Sequence, residues 1–209
     1  MMPHRNGRRG ITTRLLNINE EAWQKFSIPA LQTVDGTPVL SGEICRALAI
    51  TDEEKNELNL VIERIAEAIA TFDVKSIHES QESGMGNPPI RPDVRDETFV
   101  FTIPAMTNAD QESIVSSLKG DIDSILGFRR SSFLLEKLLV SARTFPALRG
   151  FGRYGIDIRF VSDIGRFNVD YMIWNTLTGQ TISTGQSVTD TIPLEFRHLF
   201  QIEEPVNDE

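Results

Sequence analysis

Cysteine is nearly absent from this 209-residue chain: Cys45 stands alone. No disulfide can close within it, and a cysteine-based metal site has too few ligands. Among the apolar neighbours Ile44 and Leu48, Cys45 reads as a small core residue, and it leaves the compartment open. Histidine is scarce as well, limited to His4, His78 and His198. Basic charge is outnumbered, 21 Lys and Arg against 30 Asp and Glu for a net charge of −9. That balance argues against nucleic acid as a main partner, because neutralising phosphates takes clustered cations. The one basic cluster, Arg5, Arg8, Arg9 and Arg14, reads as a solvated terminal tail. No apolar run approaches the roughly 18 residues that a bilayer crossing needs. The basic start has no apolar stretch behind it, so it is not a secretory signal. The chain as given is therefore expected to be soluble and cytoplasmic, or extracytoplasmic if its amino terminus is truncated. Also missing are G-x-S-x-G, H-E-x-x-H and G-x-x-x-x-G-K-[ST], the commonest local signatures of nucleophilic, zinc and phosphate chemistry.

What is present is mostly architecture. A hydrophobic content of 40% is enough for one core without staples. The stretch from Glu97 to Phe133 organises the rest: a strand, the stop Pro104, an amphipathic helix, the stop Gly127 and the entry to a second helix. Phe99, Phe101 and Ile103 alternate with Val100 and Thr102, as in a half-buried strand. Asn108 with Gln111 three residues on resembles a capping box. Ile114, Leu118, Ile122 and Ile125 give that helix its apolar face, and Gly127 suits a left-handed stop. Ser131 is expected to cap the next helix, with Leu134, Leu135, Leu138, Leu139 and Ala142 facing the core and Pro146 ending it.

Upstream, Asn19–Phe26 reads as a short helix and Asp35-Gly36 with Pro38 as turn signals. Ser41 is expected to cap a short helix through Leu48. Thr51 to about Ile77 is the strongest helix. Thr51 and Glu54 form a capping box, and Leu58, Ile62, Ile65, Ile69 and Phe72 make one stripe. Downstream, Tyr154, Ile156, Ile158 and Phe160 alternate inward. Phe167, Val169, Tyr171 and Ile173 answer across a turn at 163–166, and Thr181–Val188 follows as a Ser/Thr-rich edge strand.

These segregated runs predict an α+β fold: an antiparallel sheet, strand 97–103 plus a C-terminal meander over 153–188, packed on one face by helices. The expected division is a leader over 1–30, a single domain over 31–200 with a boundary candidate in the loop 80–96, and an acidic tail over 201–209.

Few residues point to chemistry. Gly150-Phe151-Gly152-Arg153-Tyr154-Gly155 matches G-x-G-x-x-G. A dinucleotide site needs a strand before those glycines and a helix after them; the pattern here is the reverse, so the segment reads as a link. His78 and Glu82, with Glu79 beside them, would share a helix face if the long helix extends that far, and read as a polar helix end. No metal or cofactor is expected. Arg129-Arg130 follows a helix C-terminus, where positive charge complements the dipole.

Three blocks, LAITDEEKNELNLVIERI over 48–65, FVFTIPAMTNADQESIVSSLKGDIDSILGFRR over 99–130 and IPLEFRHLF over 192–200, resemble a group of uncharacterised bacterial proteins common in verrucomicrobia and related phyla. The likeness runs over about residues 48–200 and rests on apolar spacing. It implies the extracytoplasmic part of a longer membrane-anchored chain; the chain as given carries no anchor. It implies no activity and no site residue. The opening LAITDEE also resembles the helix start of periplasmic metal- or stress-sensing proteins. Those are all-α, and the meander speaks against membership.

Two functions follow. One is a non-catalytic interaction or regulatory domain, associated with the cell envelope, that meets a protein partner or a second copy of itself. Its surface would be Trp174, Met172 and Val100 on the outer sheet face. The alternative is an enzyme or small-molecule binder with Tyr154, Arg159, Tyr171 and His198 around the crevice between sheet and helices.

Overall fold

The computed structural model describes Trp23, Lys25, residues 27–79, 97–163 and 166–189, and Phe196 and Leu199. It is an α+β fold with two antiparallel sheets. The first is a hairpin, β1 (Leu31–Val34) and β2 (Thr37–Leu40). Asp35 and Gly36 both have positive φ, 49° and 77°, a turn whose twist matches that of the flanking strands. The turn signals were legible in the sequence. The strands were not, because four residues each give too little alternation to register.

Ser41 caps α1 (Gly42–Ala47), accepting from the Ile44 N–H. The capping box of α2 (Asp52–Ser76) is complete: Thr51 Oγ1 accepts from Glu54 N at 3.2 Å and Glu54 Oε2 accepts from Thr51 N at 3.0 Å. Leu58, Val61, Ile62, Ile65 and Ile69 are buried along one side, and so is Asp73. The helix stops at Ser76. Ile77 is already extended, and His78–Glu79 form a two-residue strand, β3. His78 therefore sits on a strand, so the helix does not extend far enough for it to share a helix face with Glu79; Glu82 lies outside the described residues.

After β4 (Glu97–Ile103), α3 (Asn108–Leu126) starts one residue earlier than Asn108 suggested as its cap. Thr107 is the cap, accepting from Asp110 N at 3.2 Å, while Gln111 Nε2 donates to the Met106 carbonyl at 2.6 Å. Gly127, with φ 74° and ψ 155°, ends α3 and begins α4 (Phe128–Ser141) at once. That ψ is extended, not left-handed helical, so the chain turns within one residue. No linker remains for a cap, and Ser131 lies inside α4, donating to Phe128 O at 2.8 Å and to Asp123. Arg130 meets the dipole expectation directly: its Nε donates to Leu126 O at 3.2 Å, and its fork grips Glu54 at 3.0 and 2.7 Å.

The second sheet has the order β3-β4-β5-β6-β7, with β5 (Gly155–Asp163), β6 (Arg166–Trp174) and β7 (Thr181–Thr189) as the meander. Ile103, Ile156 and Ile173 lie in one cross-strand row, and Phe101, Ile158 and Tyr171 in the next. This inner face forms its own core with Phe160 and Val169, covered by Phe196, Leu199 and Ile77 at the end of α2. A separate core lies among the helices and the hairpin, built on Leu40, Ile62, Leu118, Leu138 and Phe151. Trp23 and Ala30, read from sequence as part of the leader, are buried in that helical core. Trp23 meets Phe133 edge-on at 5.3 Å, and Lys137 donates to its carbonyl at 2.8 Å. Among the described residues, no helix is long and apolar enough to cross a membrane.

Candidate functional site

The least ordinary backbone lies between the helices and the meander. Arg149, Gly150, Phe151 and Gly152 have φ of 41°, 62°, 60° and 79°. Four consecutive positive values make a left-handed turn, a conformation that costs L-residues about 1–2 kcal/mol each. Glycine supplies two of the positions, and contact as well as conformation demands it. A Cβ on Gly150 would meet the Tyr154 ring, and one on Gly152 would strike Met106. Gly150 N donates to Ala142 O, Gly152 N to Leu148 O and Tyr154 N to Arg149 O, which closes the turn on itself.

The other two positions are held by burial. Phe151 is 1% exposed within the helical core. Arg149 has no exposed surface; its Nη1 donates to Tyr154 O at 2.6 Å and Pro104 O at 3.2 Å, and its Nη2 pairs with Asp73. One guanidinium thus joins α2, the end of β4 and the start of β5. Burial pulls its pKa below the ordinary arginine value, and the charge and hydrogen bond of Asp73 oppose that pull. Neither Arg149 nor Asp73 stood out in sequence. The only local sign was an acid beside Phe72, where the apolar stripe of α2 continues.

Beside this turn runs a groove of about 980 Å³, at the upper end of the roughly 300–1,000 Å³ usual for ligand sites. The Pro104–Asn108 corner, α3, the left-handed turn and the β6–β7 turn line it. Met106, Val115 and Phe151 supply apolar floor, Gln111 a polar contact, and exposed Lys119 and Arg153 two cations. Leu177, 94% exposed, sits at its edge on the β6–β7 turn. Asn175 shapes that turn, its side-chain oxygen accepting from Leu177 N at 2.9 Å and Thr178 N at 3.3 Å.

A smaller hollow of about 570 Å³ lies against β6 and β7, lined by Arg159, Asp170, Tyr171, Met172, Thr184 and Gln186 among others. Arg159 is in ion-pair contact with Asp170 directly across the strands, with Nε at 3.0 Å. Thr102 Oγ1 donates to the buried Asp157 at 2.9 Å in the neighbouring row.

The register places Val100 opposite Arg159 and Met172 opposite Asp157, so both stand on the outer face, half-buried. Trp174 is opposite Gly155, where an added Cβ would lie 3.0 Å from its indole. Its Nε1 is shielded from solvent and has no hydrogen-bond partner among the described residues. Of the crevice candidates, Arg159 shares the outer face with Val100 and Tyr171 the inner face with Ile158, though both line the smaller hollow, while Tyr154 is buried in the inner sheet core. His198 lies outside the described residues. The described residues contain no group of three His, Cys, Asp or Glu placed to hold a metal. Burial pushes the Cys45 thiol up from its ordinary value, with the Lys55 charge opposing and Asp52 adding, which keeps it protonated and poorly nucleophilic.

No family model, curated protein or solved structure matches this chain.

Proposed function

We propose that this chain is a non-catalytic interaction domain, envelope-associated as its resemblance implies, that receives a protein partner in the groove between α3 and the β6–β7 turn. The observation that carries this is Leu177. A leucine 94% exposed in the lining of a groove that also includes Met106, Val115 and Phe151 offers apolar surface that a partner would remove from water. The lining supports binding more than chemistry. Asp73, Arg149, Asp157 and Lys137, the buried charges among the described residues, each have an internal partner, and none lines the groove. The small-molecule alternative has its best support in the hollow at Arg159, Tyr171 and Met172, where the guanidinium is already engaged by Asp170.

A photo-crosslinking amino acid in place of Leu177 should give one discrete protein adduct in cells, lost on Lys119→Glu. The same probe in place of Phe128, exposed at the start of α4 and not part of the groove lining, should give none. Equal adduct patterns at both positions would reject the reading, as would a metabolite that the chain both binds in the groove and converts.

A further inference from the structure

β7 closes the five-stranded sheet at one side. It pairs with β6 from Phe167↔Thr189 to Trp174↔Thr181, and no described strand lies along its other edge. Such an edge presents a row of backbone N–H and C=O groups that an extended chain can satisfy, and proteins commonly blunt it with lysine, proline or brevity. β7 uses none of these: its nine residues, TISTGQSVT, contain neither a charge nor a proline, although the three-residue 3-10 turn Ala142–Thr144 packs against part of it. The uncharged run reaches back to Tyr171, and Asp170 and Asp190 bound it.

That composition identifies the occupant. In a chain of net charge −9 a second copy is repelled on average, whereas β7 itself brings no charge to the approach of two copies. Thr184, Gln186 and Val188 are exposed at alternate positions, and an antiparallel copy sets one such row against another, giving the 59% exposed Val188 a cross-strand neighbour. The opposite border of the sheet is β3, only two residues long. Pairing β7 with that border would be short and head-to-tail, which does not close, whereas β7 against β7 is self-complementary about a two-fold axis. We propose that β7 pairs antiparallel with β7 of a second copy, joining two five-stranded sheets into one continuous sheet. This does not rest on the groove reading, and the two fail separately.

Sedimentation of the full chain over a concentration series is expected to show a monomer–dimer equilibrium. Amide exchange along β7 should slow as concentration rises, while exchange along β5 stays unchanged. Thr184→Lys with Val188→Lys changes two exposed side chains, so the circular-dichroism melt should hold while dimer affinity falls roughly tenfold or more. Chains carrying Gln186→Lys and chains carrying Gln186→Glu should each associate poorly alone and pair when mixed. Leu177→Asp should leave the dimer intact. A chain monomeric at every concentration overturns the proposal. So does a dimer indifferent to the lysines, or a persistent monomer whose β7 captures only unrelated extended peptides.

Discussion

Arg149 and Asp73 have side-chain exposures of 0% and 4%. Water supplies almost no alternative to their mutual contact, and removing one member of such a pair typically costs about 3–5 kcal/mol. Arg149→Met is expected to destabilise the chain by that amount in chemical denaturation, since it also strips donors from the Tyr154 and Pro104 carbonyls. Asp73→Leu combined with Arg149→Met should cost less than the sum of the two singles, because the double variant leaves neither charge behind. Additive losses would mean that the two residues act independently. Nothing local in the sequence could have paired them: they are 76 positions apart, and a buried arginine is indistinguishable in sequence from an exposed one.

At the level of elements, the start of α2 is where the most is held by the fewest atoms. Glu54 accepts from the Thr51 N–H and from the Arg130 fork, which ties α2 to α4. Burial raises its carboxyl pKa. The hydrogen bonds from Arg130 and Thr51, with the Arg130 charge, outweigh burial and hold the pKa below its ordinary value of 4.5. A depressed folded pKa stabilises the native state above the unfolded value and loses that contribution as pH falls through the folded one. Acid unfolding of the native chain should therefore steepen below about pH 4.5. Glu54→Gln should be less stable near neutrality and flatter over that acid range in a pH series of denaturation curves. An unchanged slope would show that this carboxylate is not a source of the acid sensitivity.

The capping box itself was plain in sequence because Thr51 and Glu54 are three residues apart and their geometry is local. The same holds for the alternating strands: period two placed Val100 and Met172 on the outer face, where the register confirms them. Legibility failed where one residue changes the chain's direction. Gly127 let α4 begin at Phe128, so Ser131 had no end to cap. The extended backbone at Ile77 turned His78 and Glu79 from an expected helix end into β3. The groove was invisible for a different reason. Its walls come from the 104–108 corner, the 150–153 turn and the 175–177 turn, and only tertiary packing brings these together.

Over the whole molecule, the helical core and the inner sheet core are distinct clusters, and the polar joint at Arg149 connects the elements that carry them. The left-handed turn at that joint has a consequence in time. Its backbone is unfavourable by itself, and what holds it, Asp73 and the Pro104 carbonyl, arrives from 76 and 45 residues away. The turn is therefore expected to form only once α2 has docked and β4 is in place, late in folding. Contacts made that late set how long the native state lasts and barely affect how quickly it is reached. In stopped-flow chevrons, Arg149→Met should raise the unfolding arm and leave the refolding arm where it was. A shift confined to the refolding arm would place the turn in the nucleus instead. A rise confined to the unfolding arm would make Arg149 a determinant of how long the fold lasts, and a partner seated in the groove beside it would lengthen that lifetime by slowing escape.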